Sequence, residues 1–354
     1  MAMLNRRRML RVSLGGLGAL GLAGAGLAGW ATLPRRGREA EGTLQTVRQS
    51  SRALGTDVSI TVLHADVAQA ERAIAAAFAE LDHVEDLMSI YRPHSQLSQL
   101  NRQRVLKEPD AKLLEVLRYA NDLSHRTGGT FDVTVQPLWN LYAQAHRANS
   151  LPDANEIAAA RAKVNWRRVS VSPTEVRLLD EGMAITLNGI AQGYAADRVA
   201  AVLRAHGIVH ALVDTGELGA IGGKDANEPW QVGIQHPREV DAFIALAALK
   251  DRCLATSGDY ATTFSADRTR HHVFDPRTGS SPTSYMSVSV AAPTAMQADA
   301  LSTALFVLGM EEGLALIERT EGVDALFVLA DGSTRCTAHF PAPSPPPGEG
   351  RGLG

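Results

Sequence analysis

The chain has 354 residues, 45% of them hydrophobic and 21% charged, with a formal net charge of −3. That length buries one large core or two modest ones, and the acidic balance excludes the basic face of a nucleic-acid binder. The two cysteines, Cys253 and Cys336, exclude a disulfide framework, argue against a zinc or iron–sulfur centre, and are expected as unpaired buried thiols, a single bridge between them being the alternative.

Arg6, Arg7, Arg8 and Arg11 precede an uncharged stretch of Leu, Ala and Gly from Val12 to Trp30. This is the layout of an export signal, and Arg7-Arg8-Met9-Leu10 points to the twin-arginine route and a periplasmic location. An uncleaved N-terminal anchor is the alternative, although the glycines leave the stretch only mildly hydrophobic. Residues 31–43 read as a linker and 44–340 as the folded domain. The Pro-, Gly- and Ser-rich residues 341–354 read as a disordered tail.

Val58, Ile60 and Val62 alternate with Asp57, Ser59 and Thr61, predicting a strand over 57–63. Val67, Ala70, Ile74, Phe78, Leu81, Val84 and Met88 then recur at helical spacing. The polar residues 89–101, interrupted by Pro93, read as a loop. A helix over 110–127 is capped by Asp110 and stopped by Gly128-Gly129, and Asp153 with Glu156 opens a short alanine-rich helix.

A strand at 185–188 is expected to run through Asn188-Gly189 into a helix over 189–205, followed by a buried strand over 209–213. Further strands fit 230–234, 244–249 and 286–290. A last helix over 295–308 precedes a hairpin pairing 324–329 with 335–339 across Asp331-Gly332. Helices and hairpin-type strands without regular βαβ alternation predict an α+β fold of mixed or antiparallel sheets with packed helices.

Three stretches carry chemistry. In the helix after Pro293, Thr294 and Gln297 form a capping box, so Asp299 and Thr303 fall on one face. A carboxylate and a hydroxyl together suit a hard cation, and Mg2+ fits so sparse a set because it keeps waters and phosphate oxygens. A solvated Asp beside a Thr bonded back to its own helix is the alternative on spacing alone. The junction at Asn188-Gly189 offers backbone groups to a phosphate or its metal, but Gly189 and Gly193 make no dinucleotide-binding glycine fingerprint. In the third stretch, residues 256–260 are followed by His271-His-Val-Phe-Asp-Pro-Arg-Thr-Gly279. Its His, Asp and Arg could hold a pyrophosphate or move a proton, or could simply form a turn. No Cys or Ser nucleophile stands with partners.

Taken together these stretches resemble the ApbE family of FAD:protein FMN transferases. The matching segments, in the family's order, are Leu54-Gly55-Thr56, residues 91–101, residues 131–137, the helix start at 189–197 and the region of His272 and Thr294. The resemblance implies an ApbE-like, T-fold-like domain in which Asp299, Thr303 and the Gly189 carbonyl hold Mg2+. It implies FAD contacts from Leu54, Tyr91, Thr130, Phe131, Asp132, Thr186, Gln192, Thr256 and Ser257, with His272 and Asp275 beside the diphosphate in catalytic roles. FAD is then substrate, AMP the leaving group, and the acceptor a Ser or Thr of a membrane-associated flavoprotein with an FMN-binding domain.

Three positions and one segment depart from the family pattern. Thr186 stands where the family usually has Asp, Gln192 where it has Lys or Glu, and Leu54 where Met is common. Asp214-Thr-Gly-Glu217 replaces Asn-Ala-Gly-Gly. This pattern is similar to periplasmic members that serve nitrous oxide reductase maturation. Hydrolysis of FAD by water, and a non-catalytic FAD carrier or electron-transfer protein, are the competing readings.

Overall fold

In the computed structural model, which describes residues 43–225 and 227–341, the stretch around Val58 forms the second arm of a hairpin. Strands β1 (Gln45–Ala53) and β2 (Thr56–His64) pair antiparallel down to Ala53↔Thr56. The turn residues Leu54 and Gly55 hold φ of 53° and 76°, the left-handed geometry that matches the twist of a two-residue hairpin. The export signal expected over 1–30 lies outside the described residues, as do the linker apart from Thr43 and the tail apart from Pro341.

Helix α1 (Val67–Met88) is capped by Asp66 and buries Ala70, Ile74, Ala77, Leu81 and Val84 along one stripe. The expected loop after it holds a helix, α2 (Gln96–Gln103), because Ser95 caps Ser98 N at 3.0 Å and Leu97 and Leu100 are fully buried. Pro93 stands ahead of the cap and so breaks nothing. Strand β3 (Val105–Lys107) leads to α3 (Ala111–Arg126), capped by Asp110 as the sequence predicts. Helices α4 (Gln136–Arg147) and α5 (Ala154–Arg161) follow, the latter with the Asp153–Glu156 capping box, then β4 (Val169–Val171) and β5 (Glu175–Leu178).

The expected strand at 185–188 joins no sheet. Asn101 brackets Ile185 instead, accepting its N–H at 2.7 Å and donating to its carbonyl at 2.8 Å. Helix α6 (Ala191–Ala205) starts two residues late because Gly189 and Ile190 form a turn. Strand β6 (Ala211–Asp214) also starts late, leaving Val209 63% exposed rather than buried. Strands β7 (Leu218–Ile221), β8 (Trp230–Gln235), β9 (Phe243–Leu249), β10 (Cys253–Gly258) and β11 (Tyr285–Ala292) precede α7 (Ala295–Leu308), whose bounds are those predicted. It is not the last helix: Gly309, at φ 91°, breaks the chain and α8 (Met310–Glu318) follows. Strands β12 (Asp324–Leu329) and β13 (Thr334–Cys336) close the fold, and of the two thiols only Cys253 is buried.

Eight strands form one antiparallel sheet in the order β1-β2-β6-β7-β10-β11-β12-β13. Helices α1, α6 and α7 bury one face of it, through residues such as Ile74, Val199, Leu305 and Phe306. The β8–β9 hairpin covers the other face with Trp230, Val232, Ile234 and Leu249. The fold is therefore α+β with antiparallel sheets, and among the described residues no helix is long and apolar enough to cross a membrane. Strands β7 and β10 pair at Leu218↔Leu254 and Gly219↔Cys253, and on one side Ala220 N donates to the Arg252 carbonyl at 3.1 Å, but toward Thr256 no pairing follows. There the sheet parts, and the gap is where the cleft lies.

Candidate active site

A cleft of about 680 Å³ opens where the β1–β2 turn, the α6 start, the free end of β10, the loop after it and α7 converge. Its geometry starts from a close approach of two helices. A Cβ placed on Gly193 would sit 2.1 Å from the Ala295 carbonyl oxygen and 2.7 Å from Asp299 Cβ, so only glycine lets α6 and α7 pack this tightly. Gly193 N then donates to Asp299 Oδ2 at 3.0 Å, setting a carboxylate that is 4% exposed against the positive end of α6.

The start of α7 is fixed from two sides. Thr294 Oγ1 accepts from Gln297 N at 3.2 Å, but the reciprocal half of the expected capping box is not formed. Asp197 takes over, accepting from Ala295 N at 2.8 Å and Met296 N at 2.9 Å. Burial pushes the Asp197 carboxyl pKa up, and those two N–H groups oppose the shift. One turn after Asp299, Thr303 Oγ1 lies 2.9 Å from where a Gly189 Cβ would be, and 3.1 Å from Ser257 Oγ. Thr303 thus sits close against Gly189, and Asp299, Thr303 and Gly189 all line the cleft.

Tyr91, Thr130, Phe131, Asp132, Thr186, Gly189, Gln192, Thr256, Ser257, His272, Asp299 and Thr303 all line this cleft. Leu54 and Asp275 do not. Leu54 packs on the main core behind the turn, while its neighbours Ala53 and Gly55 face the cleft. Asp275 accepts from Arg277 N at 2.8 Å and Nη2 at 2.9 Å, and its carbonyl accepts from Gly279 N at 2.8 Å. Its carboxylate is thus committed to the Asp-Pro-x-Thr-Gly turn.

Other lining residues have definite local work. Asp132 accepts from Thr134 N at 2.8 Å and from Trp166 N at 3.1 Å, while burial raises its pKa against these bonds. Gln192 donates to the Thr215 carbonyl at 3.4 Å, and Thr186 Oγ1 accepts from Asn188 N at 3.3 Å. His272 Nδ1 lies 3.3 Å from the Thr262 carbonyl. A carbonyl can only accept, so this contact requires the proton on Nδ1. Tyr91 is 57% exposed at the rim.

Glu217 lines the cleft too and is 5% exposed. Its carboxylate accepts from Thr256 N at 3.2 Å, in the gap where β7 no longer pairs with β10. Sequence reasoning marked Glu217 only as a departure and gave it no role. The available signal was an acidic residue after Gly216 at a strand boundary.

Comparison with known proteins agrees with this geometry. The ApbE family model matches residues 54–327. The FAD:protein FMN transferase of Treponema pallidum is 33% identical over 317 residues, covering 82% of this chain and 88% of that protein. Among solved structures, the ApbE protein of Thermotoga maritima superposes with a TM-score of 0.75 at 29% identity, covering 83% of this chain and 97% of that one. The apo flavinyl transferase ApbE of Pseudomonas stutzeri gives 0.72 at 30% identity, with coverage of 83% and 95%. Family match, fold and a cleft built on the motif residues agree: the chain belongs to the ApbE family.

Proposed function

We propose that the chain transfers FMN from FAD to a Ser or Thr hydroxyl of an acceptor flavoprotein and releases AMP, with Mg2+ held at Asp299, Thr303 and the Gly189 carbonyl. The observation that carries this reading is that those three residues line one cleft. Among the described residues no group of three or more His, Cys, Asp or Glu forms a metal cage. The proposed donor set is all oxygen with a single carboxylate, which suits a cation that keeps waters and phosphate oxygens as its other ligands. Asp299 and Glu217 both line the cleft, so a cation seated beside a bound diphosphate would offset part of the repulsion.

When bound, Mg2+ would polarise the diphosphate and stabilise the departing phosphate charge. The acceptor oxygen forms the new bond to the FMN phosphorus, the P–O bond to AMP breaks, and AMP leaves with the bridging oxygen. His272 Nε2 takes the hydroxyl proton, because the Thr262 carbonyl holds the ring proton on Nδ1. The exposed Tyr91 ring offers an aromatic face at the rim, suited to a flavin. The arginine-led residues 1–30 support export, so the acceptor is read as a periplasmic, membrane-associated flavoprotein.

The test incubates the chain with FAD, Mg2+ and an FMN-binding domain, following AMP release and the acceptor's mass. Transfer adds one FMN to the acceptor. Free FMN without acceptor would indicate hydrolysis, and no AMP at all a carrier. Asp299→Ala is expected to lower transfer by at least about a hundredfold, the scale of losing a charge-stabilising group, with the circular dichroism spectrum unchanged. Activity equal to wild type would refute the metal assignment.

A further inference from the structure

Beneath Thr303 runs a chain of hydroxyls whose proton directions can be worked out from one fixed end. Ser302 is 1% exposed and lies outside the cleft lining. Its Oγ is 2.9 Å from the Asp299 backbone carbonyl and 2.8 Å from Ser257 Oγ. Ser257 Oγ is in turn 3.1 Å from Thr303 Oγ1. A carbonyl can only accept, so the Ser302 proton goes to Asp299. Having spent its one proton, Ser302 must accept from Ser257. Ser257, its own proton spent, must accept from Thr303. The Thr303 proton therefore points at Ser257, and the oxygen is left with lone pairs for the cleft it lines with Gly189 and Asp299.

We propose that Ser302 is a positioning residue for the cation site: through Ser257 it fixes the Thr303 hydroxyl with its lone pair, not its proton, toward the metal. The inference rests on the reading of Asp299 and Thr303 as cation ligands. Without Ser302, Ser257 can turn its proton toward Thr303, and the Thr303 proton then swings into the cleft. A proton dipole aimed at a divalent ion repels it, so the fault appears as lost cation affinity. Partners that orient metal ligands characteristically change affinity by about tenfold or more when removed.

The experiment titrates Mn2+ into the FAD-loaded chain without acceptor, reading free Mn2+ by electron paramagnetic resonance. Asp299→Ala sets the baseline for Mn2+ held by FAD alone. Wild type is expected to bind well above that baseline, and Ser302→Ala roughly tenfold more weakly than wild type. FAD binding without any divalent ion, followed by flavin fluorescence, stays unchanged in Ser302→Ala and shows that the variant is folded. Because Ser302 acts through Ser257, the Ser257→Ala/Ser302→Ala double variant binds Mn2+ no more weakly than Ser257→Ala alone. Ser302→Ala binding like wild type would overturn the proposal and leave the cation site standing, as would losses that add in the double variant. Wild type binding no better than Asp299→Ala would remove the cation reading and the proposal with it.

Discussion

Asp214 ends β6 beside the cleft, with its Oδ1 accepting from Gly216 N at 3.0 Å. Burial pushes its carboxyl pKa up to about 6, with Asp57 adding to the shift, while the Gly216 N–H and Arg48 oppose it. An unfolded Asp titrates near about 3.9, so between these values the folded chain holds a proton that the unfolded chain has lost. The stabilisation from protonated Asp214 is complete below the unfolded value and fades as pH rises through about 6. Asp214→Asn keeps an oxygen for Gly216 N and removes the titration. The difference in urea unfolding free energy between wild type and Asp214→Asn is expected to shift in the variant's favour across that window. A difference that stays flat with pH would show that Asp214 titrates as an ordinary exposed acid.

At the scale of elements, function depends on how closely α6 meets α7 and how firmly the rim is tied to α1. Gly193→Ala forces a methyl group onto the Ala295 carbonyl oxygen, 2.1 Å from the ideal Cβ position. Overpacking of this kind costs about 1–3 kcal/mol. Backbone cannot swing aside as a side chain can, so the helices must part and Gly193 N must leave Asp299. Chemical denaturation should show the stability loss, and FMN transfer should fall well beyond what partial unfolding explains. At the rim, Arg92 donates to Asp82 Oδ1 at 2.7 Å, to Glu85 Oε2 at 2.8 Å and to Asp86, tying the segment behind Tyr91 to α1. Ordering one such side chain costs about 0.5–1.5 kcal/mol. Arg92→Ala is therefore expected to raise KM for FAD roughly three- to tenfold with kcat little changed, in steady-state assays of AMP release. The sequence showed the bounds of α7 because the Thr294 cap and the apolar spacing are local signals, but not Asp197, which caps it from α6. It hid α2, whose eight mostly polar residues bury only two leucines at helical spacing. The role of Glu217 was hidden for a different reason. It depends on a partner 39 residues away, across a gap set by strand register. The third stretch carried two readings, and the structure places His272 in the cleft lining and the Asp275 carboxylate in the turn with Arg277.

Across the whole molecule, the great sheet separates two kinds of work. The cleft groups hang from the edge of the gap and from the helices on one face, whereas β8–β9 is a sealing layer on the other. Trp230 anchors that layer at 1% exposure, and its indole N–H lies 3.4 Å from the Ile221 carbonyl. Truncating a buried tryptophan to alanine costs about 3–5 kcal/mol, a large share of the roughly 5–15 kcal/mol of a typical domain. If the division holds, Trp230→Ala loses that stability without touching the chemistry, since neither Trp230 nor Ile221 lines the cleft. The denaturant midpoint should drop accordingly, while KM for FAD and the Mn2+ affinity, measured well below the melting transition, stay within about twofold of wild type. A selective loss of cation or FAD affinity in the folded variant would instead mean that the gap between β7 and β10 is held open from the far face. The hairpin would then belong to the active site, because Ile221 sits on β7, the strand whose end defines that gap.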